Sequence, residues 1–71
     1  MFYKGDIVVA TNTLITYEPG VNHWIQPGET GTVLGGVNGS SIQYWVQFGK
    51  GLVSTPEDKI RATTKLEKIL K

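Results

Sequence analysis

Few side chains in this 71-residue chain could carry out a reaction. His23 is the one histidine and there is no cysteine. A Ser/His/Asp set, a thiolate nucleophile and a zinc site made of protein ligands are therefore not expected. Glu57 and Asp58 are adjacent, and adjacent residues of a turn point apart, so we interpret them as acidic residues at the start of a helical turn. We predict that the chain is not an enzyme and holds no metal or cofactor.

Phosphate recognition also has weak support in the sequence. Residues 35–39 are glycine-rich but lack the Lys-Ser/Thr pair of a phosphate loop, so we interpret them as a strand bend and a turn. Residues 1–61 carry four basic and five acidic side chains, a net charge of −1, and residues 62–71 carry +2. Because nucleic-acid binding depends on clustered Lys and Arg, we consider a nucleic-acid partner improbable.

The elements that would position any functional side chain are predicted to be short β-strands. A run rich in β-branched residues, 6–11, predicts a first strand with Val8 facing the core. Asn38-Gly39 is a favoured tight-turn dipeptide because both residues tolerate positive φ. Residues 56–59 are typical of one 3₁₀ turn. Further strands are predicted at 30–34, 42–48, 52–55 and 60–61. The pattern indicates a very small closed β-barrel.

The strand at residues 42–48 gives the sharpest prediction about side-chain direction. Alternation along a strand places one set on the core side, namely Ile42, Tyr44, Val46 and Phe48. The opposite set then faces outward, namely Gln43, Trp45 and Gln47. An outward tryptophan is a good anchor for a protein partner, since interface hot spots are enriched in Trp. The alternative is that the C-terminal segment or the long loop covers Trp45.

The long segment at residues 12–29 supplies a second candidate surface. It contains two Pro-Gly turn signals and the residues Tyr17, His23 and Trp24, which could form a docking surface for a peptide or protein. The alternative is that Trp24 and Ile25 plug the open end of the barrel, and for Trp24 we favour the plug. His23 is interpreted as a loop residue that forms hydrogen bonds.

The last ten residues, 62–71, differ in character from the rest. Thr64 and Glu67 have the spacing of a capping box, and three apolar residues fall on one helical face: Leu66, Ile69 and Leu70. We predict a short amphipathic helix, separate from a barrel domain at residues 1–61. A helix of this length is marginal alone, so it docks on the barrel, frays or orders on a partner.

The chain resembles the SH3-like small-barrel superfamily over about residues 4–61. The resemblance rests on five features: Gly5-Asp6-x-Val8, a long loop, Gly28-x-x-Gly31-x-Val33, an Asn-Gly turn with Tyr44-x-Val46-x-Phe48, and an acidic turn before Ile60. It implies an all-β fold of about five antiparallel strands with a long loop after the first strand. Gly28 and Gly31 are expected to permit a turn and a sharp strand bend.

Two groups within that superfamily are the most similar. One comprises small barrels of photosynthetic electron transfer, the photosystem I subunit PsaE and the variable chain of ferredoxin–thioredoxin reductase, which also end in an acidic turn and a last strand. The other is the NifZ family of nitrogenase-maturation accessory proteins, similar at residues 44–57. Both groups act as non-catalytic partners within larger assemblies.

These observations predict an accessory or protein-interaction subunit, monomeric when free. The alternative is an RNA- or ribosome-associated barrel of the KOW type, supported by the fold and the tail lysines. A third possibility is an enzyme whose site forms by oligomerisation, because residues 41–44 are similar to the site motif of a plasmid-borne dihydrofolate reductase built from such barrels. The sequence has no apolar run long enough for a membrane span and no signal-peptide pattern, so we expect a cytoplasmic protein.

Overall fold

A computed structural model describes residues 1–16 and 22–63. Within these residues the strands are β1 (Ile7–Ala10), β2 (Leu14–Ile15), β3 (Trp24–Ile25), β4 (Thr30–Gly36), β5 (Gln43–Phe48), β6 (Gly51–Pro56) and β7 (Ile60–Ala62). Two 3₁₀ turns, at Val37–Gly39 and Glu57–Lys59, precede β5 and β7. The predicted all-β class and the 3₁₀ turn after Pro56 are confirmed. The predicted C-terminal helix lies outside the described residues.

The strands form a main sheet of five and a separate hairpin. The order in the main sheet is β6-β5-β4-β1-β7, with every pair antiparallel, and β2 pairs with β3. The predicted closed barrel is wrong, because no hydrogen-bonded ladder joins β6 to β7 in the described part of the chain. The turn at Glu57–Lys59 directs β7 onto β1 instead, where the Thr11 amide donates to the Lys59 carbonyl at 2.9 Å.

The core lies on one face of the main sheet. On β5 the side chains of Tyr44, Val46 and Phe48 are buried, as predicted. They pack in one cluster with residues from the other strands: Val8, Ala10, Leu14, Ile25, Val33, Val53 and Ile60. The predicted inward position of Val8 is therefore confirmed.

Ile42 is the exception to the predicted alternation. Its side chain is 68% exposed, so its predicted place in the core is wrong. The strand begins one residue later because Ser40 Oγ accepts the amides of Ile42 and Gln43, at 3.1 and 3.2 Å. This local side-chain bond holds the chain in a bend, and Ile42 lies outside the ladder.

Glycines and one asparagine allow the sheet to bend. A Cβ on Gly31 would lie 2.8 Å from Val46 Cγ1, so this position of β4 requires close approach to β5. Gly28 has φ +98°, which a glycine adopts without strain. Asn38 and Gly39 both have positive φ, at 52° and 77°, which confirms the predicted turn. A register shift between Val33 and Gly35 marks a bulge in β4.

Candidate functional site

The β2–β3 hairpin shows two residue pairs with opposite environments. Leu14 is opposite Ile25, and both are buried in the core cluster. Ile15 is opposite Trp24, and their side chains are 45% and 57% exposed. Because successive residues of a strand face opposite sides, burying one pair places the next pair in solvent. The hairpin thus displays an apolar cross-strand pair.

Hydrogen bonds extend the hairpin beyond these two pairs. The Thr16 amide donates to the His23 carbonyl, and the His23 amide donates to Thr16 Oγ1, both at 3.0 Å. Thr16 is buried although it is polar, and these bonds satisfy it. A two-stranded hairpin is marginal alone in water, so burial of Leu14 and Ile25 fixes this one to the core.

A charged pair borders the exposed side of the hairpin. Lys50 Nζ donates to the Trp24 carbonyl at 3.1 Å and lies 3.2 Å from Glu29 Oε2. The same carboxylate accepts the Gln26 amide at 2.7 Å. This amide, followed by the Lys50 ammonium, lowers the pKa of Glu29 from its ordinary value of 4.5, against a smaller opposing effect of desolvation. Lys50 therefore ties the β5–β6 turn to β3.

We name the surface formed by Ile15, His23 and Trp24 the hairpin patch. All three residues are exposed. The prediction that Trp24 plugs the open end is wrong, whereas Ile25 does enter the core. The register explains the difference, because Trp24 is opposite Ile15 and Ile25 is opposite Leu14. The arrangement offers an apolar platform with polar neighbours and no nucleophile or general base paired for catalysis.

The outward residues of β5 form a different environment. Trp45 and Gln43 are half-buried and Gln47 is exposed, which agrees with the predicted alternation. Trp45 is opposite Gly35 on one side and Ser54 on the other. Gln43 Nε2 donates to Ser54 Oγ at 3.1 Å. Trp45 thus belongs to the main sheet and Trp24 to the hairpin. Tyr17, the remaining predicted site residue, lies outside the described residues.

The described residues hold no other cluster suited to chemistry. In residues 1–16 and 22–63 no three His, Cys, Asp or Glu side chains come together as a metal site would require. Basic and acidic side chains in these ranges number four each, so their formal charges cancel. No helix in the described part of the chain is long and apolar enough to cross a bilayer.

Two open depressions lie at other places on the surface. One, of about 250 Å³, is lined by Phe2, Gly5, Asp6, Ile7 and Ala62. The other, of about 260 Å³, is lined by Ile42, Gln43, Pro56, Glu57 and Asp58. Neither brings together an acid, a base and a nucleophile.

Ile15 is the member of the hairpin patch that sequence reasoning missed. Its signal is the apolar pair Leu14-Ile15, which the register sets against Trp24-Ile25. A pairing of two apolar dipeptides requires that one residue of each face away from the core. The predicted strand near residues 14–17 is confirmed over two residues, but its register was not predicted.

Comparison with protein-family models, with curated proteins and with solved structures finds no match to this chain.

Proposed function

We propose that this protein is a non-catalytic interaction module that binds a protein partner through the hairpin patch. The single observation that carries the proposal is the exposed cross-strand pair of Ile15 and Trp24, held on a hairpin whose opposite face is buried. Large apolar side chains on a fixed element are costly to leave in water, and covering them would stabilise a complex. A tryptophan in that position is a typical hot-spot residue.

The charges near the patch favour a protein over a nucleic acid. Lys50 is the basic residue hydrogen-bonded to the hairpin, and its ammonium is already shared between the Trp24 carbonyl and Glu29. Phosphate binding requires several unpaired cations on one surface, and the described charges balance. The proposed interface therefore has an apolar centre in Ile15 and Trp24, with His23 and the Lys50–Glu29 pair as its polar rim.

The proposed relationship to the SH3-like barrels gives this module a biological setting. The antiparallel sheet and the long hairpin after β1 support that relationship. On that basis we propose an accessory subunit of a larger cytoplasmic assembly, of the electron-transfer or nitrogenase-maturation type, monomeric when free. The originally predicted partner residues on β5, Trp45, Gln43 and Gln47, are assigned a secondary place because Trp45 and Gln43 are half-buried.

The test uses the full chain as immobilised bait in an extract of its source cells. Partners are compared for the wild type, Trp24→Ala, Ile15→Ala and the control Tyr3→Ala, which removes an exposed aromatic residue elsewhere. We expect one set of proteins to be retained by the wild type and Tyr3→Ala and lost from both hairpin variants.

Identical partners for all four proteins would contradict the proposed surface. A gel shift with mixed RNA in near-physiological salt provides the second arm of the test. Binding there would favour the KOW-type alternative, whereas our proposal predicts no shift.

A further inference from the structure

Val9 is buried on the side of β1 that faces away from the core. Its neighbours Val8 and Ala10 belong to the core cluster or border it, and Val8 and Val9 point to opposite faces of the strand. Val9 is nevertheless only 1% exposed and is not a member of the cluster. The outer face of the main sheet, the face opposite the core cluster, is therefore covered at Val9.

The strands beside β1 do not supply this cover. Val9 is opposite Thr30 on β4 and Arg61 on β7. Thr30 is half-buried and Arg61 is exposed. Side chains in adjacent strands stand side by side on a sheet surface, so they shield the flanks of a valine but not its top. Ile7 and Trp45 on the same face are half-buried, so the covered area extends beyond one residue.

The hairpin is also unsuited to cover Val9. Leu14 and Ile25 pack into the core cluster, which lies on the other face of the main sheet. Strand β2 packs against β6, and β6 is at the opposite end of the main sheet from β1 and β7.

The chain leaves the main sheet beside this covered face. Thr63 donates its amide and its hydroxyl to the Ile7 carbonyl, each at 3.3 Å. Residues 64–71 follow, and eight residues in a helix extend about 12 Å. Since adjacent strands are about 4.8 Å apart, that length crosses two to three strands from β7 toward β5. Three apolar residues there have the spacing of one helical face: Leu66, Ile69 and Leu70.

We infer that residues 64–71 dock on the outer face of the main sheet, over Val9 and beside Trp45. The apolar face of the segment covers Val9 and Ile7, and its lysines remain in water: Lys65, Lys68 and Lys71. The outer face is then occupied by the chain itself and is closed to a partner. This inference stands apart from the hairpin patch, which lies on the other sheet.

The test exploits the absence of cysteine, because Lys68→Cys gives one attachment site for a nitroxide label. The two tryptophan indole N–H signals are built-in NMR reporters on the two surfaces. We expect the label to broaden the Val9 methyl and Trp45 indole signals strongly and the Trp24 indole signal least. No broadening at Val9, or equal broadening at Trp24 and Trp45, would overturn the inference.

Matched variants of the labelled protein test the apolar contact. Leu66→Ser combined with Ile69→Ser should remove the broadening at Val9, whereas Lys65→Ser should retain it. The unlabelled chemical shifts of Val46 and Phe48 report whether the core is intact in each variant. Broadening that persists in the double serine variant would show that the apolar face of the segment does not hold it, contrary to the inference.

Discussion

The backbone amide of Phe2 donates a hydrogen bond to the Tyr44 hydroxyl at 3.1 Å. The two rings also meet edge to face, with centroids 5.6 Å apart. The Tyr44 hydroxyl in turn donates to the Ser41 carbonyl. One buried side chain thus joins the start of the chain, the turn before β5 and the core.

Replacing Tyr44 with Phe should destabilise the fold while keeping the ring in place. The change removes both hydroxyl bonds and leaves the Phe2 amide and the Ser41 carbonyl without this partner. We expect a loss of about 1–2 kcal/mol in the free energy of unfolding. Urea denaturation measures it, with Tyr3→Phe as control, since Tyr3 is exposed. Equal stability of the two variants would show that these bonds contribute little.

The close approach of β4 and β5 predicts that Gly31→Ala is destabilising. The new Cβ would lie 2.8 Å from Val46 Cγ1, 2.9 Å from Phe48 Cδ1 and 3.0 Å from the Gln47 carbonyl oxygen. Overpacking of this kind costs about 1–3 kcal/mol. Gly49→Ala is the control, because nothing lies within 4 Å of its Cβ position. Thermal unfolding should show a lower midpoint for Gly31→Ala alone, and a similar midpoint for both variants would contradict the packing.

The start of β5 predicts different costs for two apolar residues four positions apart. Val46→Ala removes buried methyl groups from the core and should cost roughly 2 kcal/mol. Ile42→Ala should leave the free energy of unfolding nearly unchanged, because its side chain is already mostly in water. Chemical denaturation of both variants decides this, and a large cost at Ile42 would restore it to the core.

The lowered pKa of Glu29 predicts a contribution to stability that depends on pH. Because the folded state favours the carboxylate, this contribution is fully present above the ordinary pKa of 4.5. It is lost as the pH falls through the lower folded-state pKa. Glu29→Gln should therefore lose less stability on acidification through this range than the wild type does. Denaturation curves across that pH range provide the measurement.

An NMR titration of the Glu29 carboxyl provides the direct check on that prediction. In Lys50→Met the pKa should rise only part of the way to 4.5, because the Gln26 amide remains the larger cause of the shift. A wild-type carboxyl that titrates at its ordinary value would contradict the hydrogen-bonded geometry.

The strands and turns were largely predictable because their signals are local. Alternation on β5 identified Tyr44, Val46 and Phe48 as core residues, and positive φ at Asn38-Gly39 follows from residue type. These properties depend on neighbours within a few positions along the chain, so the sequence by itself determined the all-β class. It also determined the absence of a charge pattern suited to phosphate binding.

Pairing between distant residues was decided only by the tertiary structure. The register that sets Ile15 against Trp24 places the indole in solvent, although composition favoured it as a plug. Ile42 left the core because a hydroxyl at Ser40 ends the bend one residue later. The turn at Glu57–Lys59 sent β7 to β1 and left the sheet open. A shift of one residue in register moves a side chain to the other face, and local propensity carries no information about that choice.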